Sequence, residues 1–163
     1  SLIDTNIKFF FFISYSILIE KFLQFKLILF DSFNFENIVA LDNFSSHINI
    51  DALFANLQHK NLTLAIGDST SSRIIDIVKK LGNYDLIFID ANHTYEYVKK
   101  DFENFKPFLE KGGVIGFHDV DCPDWRGINK FWKELEATGE YNMRSFVEKG
   151  YKLQYGIGML TIK

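Results

Sequence analysis

The chain has 163 residues, with 18 basic against 21 acidic ones and a net charge of −3. The two signs are interspersed, which leaves no basic field suited to a nucleic-acid backbone. That length is one domain's worth, able to bury roughly two-thirds of its unfolded surface, and the single cysteine, Cys122, excludes an intramolecular disulfide and any Cys-rich metal site, as expected of a cytoplasmic protein.

The first 36 residues are atypical. Phe9 to Ile19 is almost wholly apolar, and a second apolar patch, Leu27 to Phe30, follows after Glu20, Lys21, Gln24 and Lys26. The first run has 11 residues, whereas a helix needs about 20 to cross a bilayer core. No transmembrane span is expected. Nor does a small-residue cleavage site complete a signal peptide, so the run reads as buried core, with a membrane-surface or processing role as the alternative.

From Asn37 onward short apolar runs alternate with longer amphipathic ones, the pattern of repeated strand–helix units. Asn37 to Leu41 reads as a strand ending at Asp42. Ile50 to His59 offers Leu53, Phe54 and Leu57 on one helical face. Leu62 to Ile66 is the next strand, and Gly67-Asp68-Ser69-Thr70-Ser71-Ser72 turns it into a helix whose hydroxyls are good N-caps. That helix carries Ile74, Ile75 and Val78 and stops at Gly82. After a strand over Tyr84 to Ile89, the spacing of Val98, Phe102, Phe105 and Leu109 predicts a helix from near Thr94, with a break at Pro107. Val114 to Phe117 is a strand apolar enough to be covered on both faces. Ile128, Phe131, Trp132 and Leu135 stripe another helix, and Ser145 to Val147 with Tyr155 to Ile162 read as a final strand pair linked through Gly150. No internal repeat, linker or second domain interrupts residues 1 to 163.

The chemistry-bearing residues collect at strand ends. Four strands in succession end in Asp42, Asp68, Asp90 and His118-Asp119. A lone aspartate there is an ordinary turn or cap residue, but chance turn chemistry does not put one at every strand. In open α/β sheets the carboxyl edge is where ligands bind. Asp42, followed by Asn43, can accept hydrogen bonds from a ribose diol. If their strands are neighbours, Asp90, His118 and Asp119 converge on a point suited to a divalent cation such as magnesium, or else to a polar network. His93, three residues past Asp90, can take a proton from a hydroxyl. Tyr95 and Trp125 could wall a pocket and Arg126 could hold an anionic group, with packing and solvation as the plainer readings. His47 and His59 read as surface residues. The aromatic fraction, 17%, is explained mostly by core positions.

Four segments together resemble the class I S-adenosylmethionine-dependent methyltransferases, especially their metal-dependent O-methyltransferase branch: Asn37 to Asp42, Gly67-Asp68-Ser69, Tyr84 to His93, and Leu109 to Asp119. The resemblance covers Asn37 to Lys163 and implies a Rossmann-like α/β three-layer sandwich, its sheet mostly parallel with an antiparallel C-terminal strand. It implies that Asp42, with Asn43, binds the cofactor's ribose, that Gly67, Asp68 and Ser69 meet its adenine, and that Asp90 borders the same cofactor. It also implies magnesium at Asp90, His118 and Asp119, and a catalytic base at His93. Histidine stands at 118 where the family usually has an acid, and at 93 where it usually has a lysine. The Cys122 to Leu160 tail resembles methyltransferases acting on sugars, so a sugar or small-molecule hydroxyl is the implied acceptor, and a homo-oligomer is compatible with the resemblance. The family's glycine-rich first loop is missing: no glycine precedes Gly67, and by spacing the loop falls at Ile13-Ser14-Tyr15-Ser16 after a strand over Lys8 to Ile13. Close approach of backbone to a ligand needs residues without Cβ, so a catalytically inactive binding or assembly domain is the alternative. Another nucleotide-dependent Rossmann enzyme is disfavoured, because no G-x-G-x-x-G follows any strand.

Overall fold

The computed structural model describes residues 7–13, 35–42, 62–90, 92–124, 126–147 and 156–163. Its strands are β1 (Ile7–Ile13), β2 (Phe35–Asp42), β3 (Leu62–Ile66), β4 (Tyr84–Asp90), β5 (Leu109–Phe117), β6 (Tyr141–Val147) and β7 (Gly156–Ile162). They form one sheet in the order β3-β2-β1-β4-β5-β7-β6. β1 to β5 pair in parallel and β7 runs antiparallel to both β5 and β6. This is the Rossmann-like, mostly parallel α/β sheet with antiparallel C-terminal strands.

The apolar N-terminal run supplies β1, the strand between β2 and β4. Phe10 is fully buried, its ring 4.9 Å from that of Tyr84 and 5.1 Å from that of Phe105. Burial of one aromatic side chain is worth roughly 1.5–3 kcal/mol, which is reason enough for the run to be core. Among the described residues, no helix is long and apolar enough to cross a membrane.

Three helices are described: α1 (Ser72–Leu81), α2 (Tyr95–Phe105) and α3 (Arg126–Thr138). Ser71 caps α1 by accepting from the Ile74 amide at 3.3 Å, and Gly82 ends it at φ 113°, a conformation only glycine takes cheaply. The apolar stripes face the core as their spacing predicts: Ile74 and Val78 of α1, Val98, Phe102 and Phe105 of α2, and Ile128, Phe131, Trp132 and Leu135 of α3 are all buried.

Two boundaries differ from the periodicity. Leu109 does not extend the α2 stripe, because Pro107 turns the chain into a short 3-10 turn, Lys106–Phe108, and Leu109 opens β5. β5 accordingly begins well before Val114. Its register jumps from Tyr84↔Leu109 to Leu86↔Val114, so the polar Glu110 to Gly113 stretch forms an irregularity that apolar patterning does not reveal. The expected helix over Ile50 to His59, together with Asn43, His47, Ser14 to Ser16, Trp125 and Gly150, lies outside the described residues.

Candidate functional site

Strand register carries the strand-end residues into one row. Asp42 of β2 pairs with Ile66 of β3 and with Ile13 of β1, and Ile13 pairs in turn with Asp90 of β4. Ile89 pairs with Phe117, and the His118 amide donates to the Ile89 carbonyl at 3.1 Å, which extends the row past β5. The sequence Ile66, Asp42, Ile13, Asp90, His118 thus runs along the carboxyl edge. The strand order reverses between β1 and β4, the switch point where such sheets bind ligands.

Beyond this row the chain folds two acids and two imidazoles into contact. Asp90, His93 and Asp119 are buried and His118 is partly so. Asp90 Oδ1 lies 3.4 Å from His93 Nε2 and 3.3 Å from His118 Nδ1. Asp119 Oδ2 lies 3.6 Å from His93 Nδ1 and 3.2 Å from His118 Nδ1. Asp119 holds a left-handed backbone, φ 60°, which is uncommon outside glycine but most tolerated by asparagine and aspartate. Such strain persists where surrounding structure enforces it, and it clusters at functional sites.

α3 packs against the backbone that carries His93. α3 approaches so closely at Gly127 that a Cβ there would lie 2.4 Å from the His93 carbonyl oxygen and 2.4 Å from the Tyr95 amide nitrogen. Both are backbone atoms, so neither can swing aside. Tyr95 serves the same seam: its hydroxyl bonds to Glu134, Lys99 bonds Glu134 at 2.7 Å, and Lys130 sits 4.1 Å above the Tyr95 ring. Tyr95 therefore fastens α2 to α3, and Arg126 is exposed in the first turn of α3.

Within the cluster Asp90 and His118 favour each other's charged forms. Burial raises the Asp90 carboxyl, but contacts with His118 and His93 outweigh it and hold the group below its usual range. Burial likewise opposes charge on His118, yet Asp119 and Asp90 push its imidazolium up to about 10. The donor atoms of Asp90, His93 and His118 all lie within 4.8 Å of one another. Carboxylate and imidazole are ordinary ligands for a divalent ion, so these residues fit one.

At the end of β3 the environment is different. Asp68 is exposed and accepts from the Thr70 amide at 2.8 Å and the Thr70 hydroxyl at 2.7 Å, which lowers its carboxyl. Ser69 donates at 2.6 Å to Asp101, and Asn104 reaches the Ser69 carbonyl at 3.5 Å. Asp101 is wholly buried, its second oxygen has no hydrogen-bond partner among the described residues, and burial pushes its carboxyl up to about 7. Asp101 is not among the residues picked out from sequence, and Gly127, expected with Arg126 in a turn that could hold an anionic group, lies instead in the first turn of α3. For Asp101 a signal existed, since it lies on the buried stripe of α2 with Val98, Phe102 and Phe105.

Comparisons with known proteins bear on the family and fold that carry this edge. Residues 20–120 match the family model described as "Methyltransferase domain". An uncharacterised protein, y4gI, of Sinorhizobium fredii is 33% identical over 108 residues, which are 66% of this chain but 10% of that protein. The chain thus spans a small part of the curated relative it matches. Among solved structures, the O-methyltransferase of Bacillus cereus in complex with S-adenosylhomocysteine superposes with TM-score 0.69 at 16% identity, covering 96% of this chain and 74% of that one. CalS11, a TDP-rhamnose 3′-O-methyltransferase, gives 0.67 at 18%, covering 93% and 71%. MycE methyltransferase, in complex with magnesium, S-adenosylhomocysteine and mycinamycin VI, gives 0.64 at 13%, covering 97% and 45%.

Proposed function

The chain belongs to the methyltransferase-domain family matched over residues 20–120, and from that premise we propose that it moves a methyl group from S-adenosylmethionine to a hydroxyl oxygen of a sugar or other small molecule. The observation supporting this reading is the row Asp42, Ile13, Asp90, His118, which lines up Asp42 and the acid–imidazole cluster along one edge. Solved structures of this fold bind S-adenosylhomocysteine, and one acts on a sugar hydroxyl.

In this reading Asp42 and Asn43 hold the ribose, Gly67, Asp68 and Ser69 border the adenine, and Asp90 lies between donor and acceptor. The acceptor hydroxyl loses its proton, its oxygen attacks the methyl carbon in line, and the sulfur leaves as the neutral thioether. Proximity supplies much of the rate, because the attack needs the oxygen and the methyl group held at near-contact distance. The resemblance assigns the proton to His93 and a magnesium ion to Asp90, His118 and Asp119. A divalent ion bound there would supply positive charge against the developing oxyanion.

The test is to incubate the full chain with methyl-labelled S-adenosylmethionine and a panel of nucleotide sugars and phenols. Label on a hydroxyl oxygen, lost in Asp42→Ala, supports the proposal. Label on nitrogen or carbon overturns the acceptor class. One sequence feature favours a second reading, an inactive module: no glycine precedes Gly67 where the donor's methionine part would lie. Unlabelled products combined with no cofactor affinity would favour it.

A further inference from the structure

The distances in the cluster are unlike those of ordinary ion pairs. Charge-assisted N–H···O bonds settle at about 2.7–2.9 Å. Here the four imidazole–carboxylate separations are 3.4, 3.3, 3.6 and 3.2 Å, in a buried setting where closer approach would be rewarded. Donors bonded at about 2.0–2.1 Å to one tetrahedral ion stand about 3.3 Å apart. Asp90 Oδ1 has that spacing to His93 Nε2 and to His118 Nδ1, and the three donors together lie within 4.8 Å of one another.

The two ring nitrogens of His93 face different acids. Nε2 faces Asp90, while Nδ1 faces Asp119 across the ring. A metal-bound histidine turns its second nitrogen to a carboxylate that fixes its tautomer and orientation; here Asp119 Oδ2 stands on that side of His93, 3.6 Å from Nδ1 and just beyond direct hydrogen-bond reach, and 3.2 Å from His118 Nδ1. The left-handed backbone of Asp119, φ 60°, aims its carboxylate there. We infer that Asp90, His93 and His118 form a site for a divalent transition ion of the zinc or cobalt class, with Asp119 orienting His93 instead of ligating.

The donor set decides the ion. Magnesium takes oxygen ligands in an octahedron and keeps several waters, whereas imidazole suits zinc, cobalt and nickel. Two imidazoles and one carboxylate therefore select against magnesium. This division of labour differs from the one the resemblance carries over, in which His93 is the base and Asp119 a ligand. The two are exclusive, because a nitrogen bound to a cation has no lone pair for a proton. The inference rests on the methyltransferase reading for its location only.

Isothermal titration of the apo full chain with Zn2+, Co2+ and Mg2+, without cofactor or acceptor, tests the inference apart from methyl transfer. One-to-one binding of Zn2+ and Co2+ at least a hundredfold tighter than Mg2+, with visible absorption from bound Co2+, is expected. Equal or tighter Mg2+ binding, or none by any of the three, overturns it. His118→Asp should shift the Zn2+/Mg2+ preference toward magnesium, and His93→Gln should abolish Co2+ absorption. Asp119→Asn should retain the ion with affinity lowered roughly 10–100-fold, the usual cost of losing an orienting partner. Unchanged Co2+ binding in a folded His93→Gln, checked by circular dichroism, would return His93 to the role of base. Affinity for S-adenosylhomocysteine, measured separately, shows whether the methyltransferase reading stands when the metal inference falls.

Discussion

The carboxyl end of β3 and the carboxyl ends of β4 and β5 look alike as strings of residues, each an apolar strand running into an aspartate. In the folded chain they are opposites. At β3, Asp68 is exposed and bonds the amide and hydroxyl of Thr70, so its charge shapes its own turn. At β4 and β5, Asp90 and Asp119 are buried, and besides the imidazole near each in sequence Asp90 faces His118 and Asp119 faces His93, each from the other segment. A carboxylate bonded within two residues of itself is turn chemistry. One buried against groups distant in sequence is a site, because only a favourable partner offsets the cost of burying its charge.

The largest effect expected from breaking this contrast is at Asp90. Asp90→Ala should lower kcat/KM for methyl transfer by roughly 10²–10³, the scale of losing a preorganised charge-stabilising group. Loss below tenfold would mean that the cluster is not where reaction occurs. Gly127→Ala comes next, through structure: its Cβ would press the backbone at His93 and Tyr95. Overpacking costs about 1–3 kcal/mol, read as a melting midpoint lower by several degrees. An unchanged midpoint would show that α3 can retreat.

Asp101 gives an intermediate effect with a defined sign. Its folded-state carboxyl is raised from 3.8 to about 7 by burial, with Asp68 adding to the rise while the Ser69 hydrogen bond and Lys100 oppose it. The neutral form is favoured in the folded state, so its stabilisation is complete below the unfolded value and is lost as pH rises through about 7. Asp101→Asn should remove that part of the decline between about pH 4 and 7, visible in urea melts across the range. Identical pH slopes for variant and parent would contradict the burial argument. Glu134→Gln should be nearly silent, leaving the midpoint unmoved, since exposed ion pairs contribute little. A large drop there would mean that the α2–α3 seam depends on charge instead of the apolar stripes.

How much of this was legible in the sequence follows from which interactions are local. Strands β2, β3 and β4 and the three described helices are written in apolar spacing, Ser71 and Gly82, and their cores match. The early start of β5 was not, because Glu110 to Gly113 fall where the register with β4 jumps and carry no apolar period. The edge residues Asp42, Asp68, Asp90, His93, His118 and Asp119 were visible as strand-end chemistry. What Asp90, His93, His118 and Asp119 face was not, since the pairing of β4 with β5 decides it. The close approach at Gly127 was illegible for a similar reason: only the docked helix shows which backbone atoms its missing Cβ avoids.

The central claim is that the row from Asp42 to His118 is a cofactor edge, and titration of the full chain with S-adenosylmethionine tests it most directly. The account predicts one-site binding, weakened in Asp42→Ala and retained in His118→Asp. Absence of binding at about millimolar cofactor, the weak end of the affinity scale, in a chain shown to be folded would contradict it.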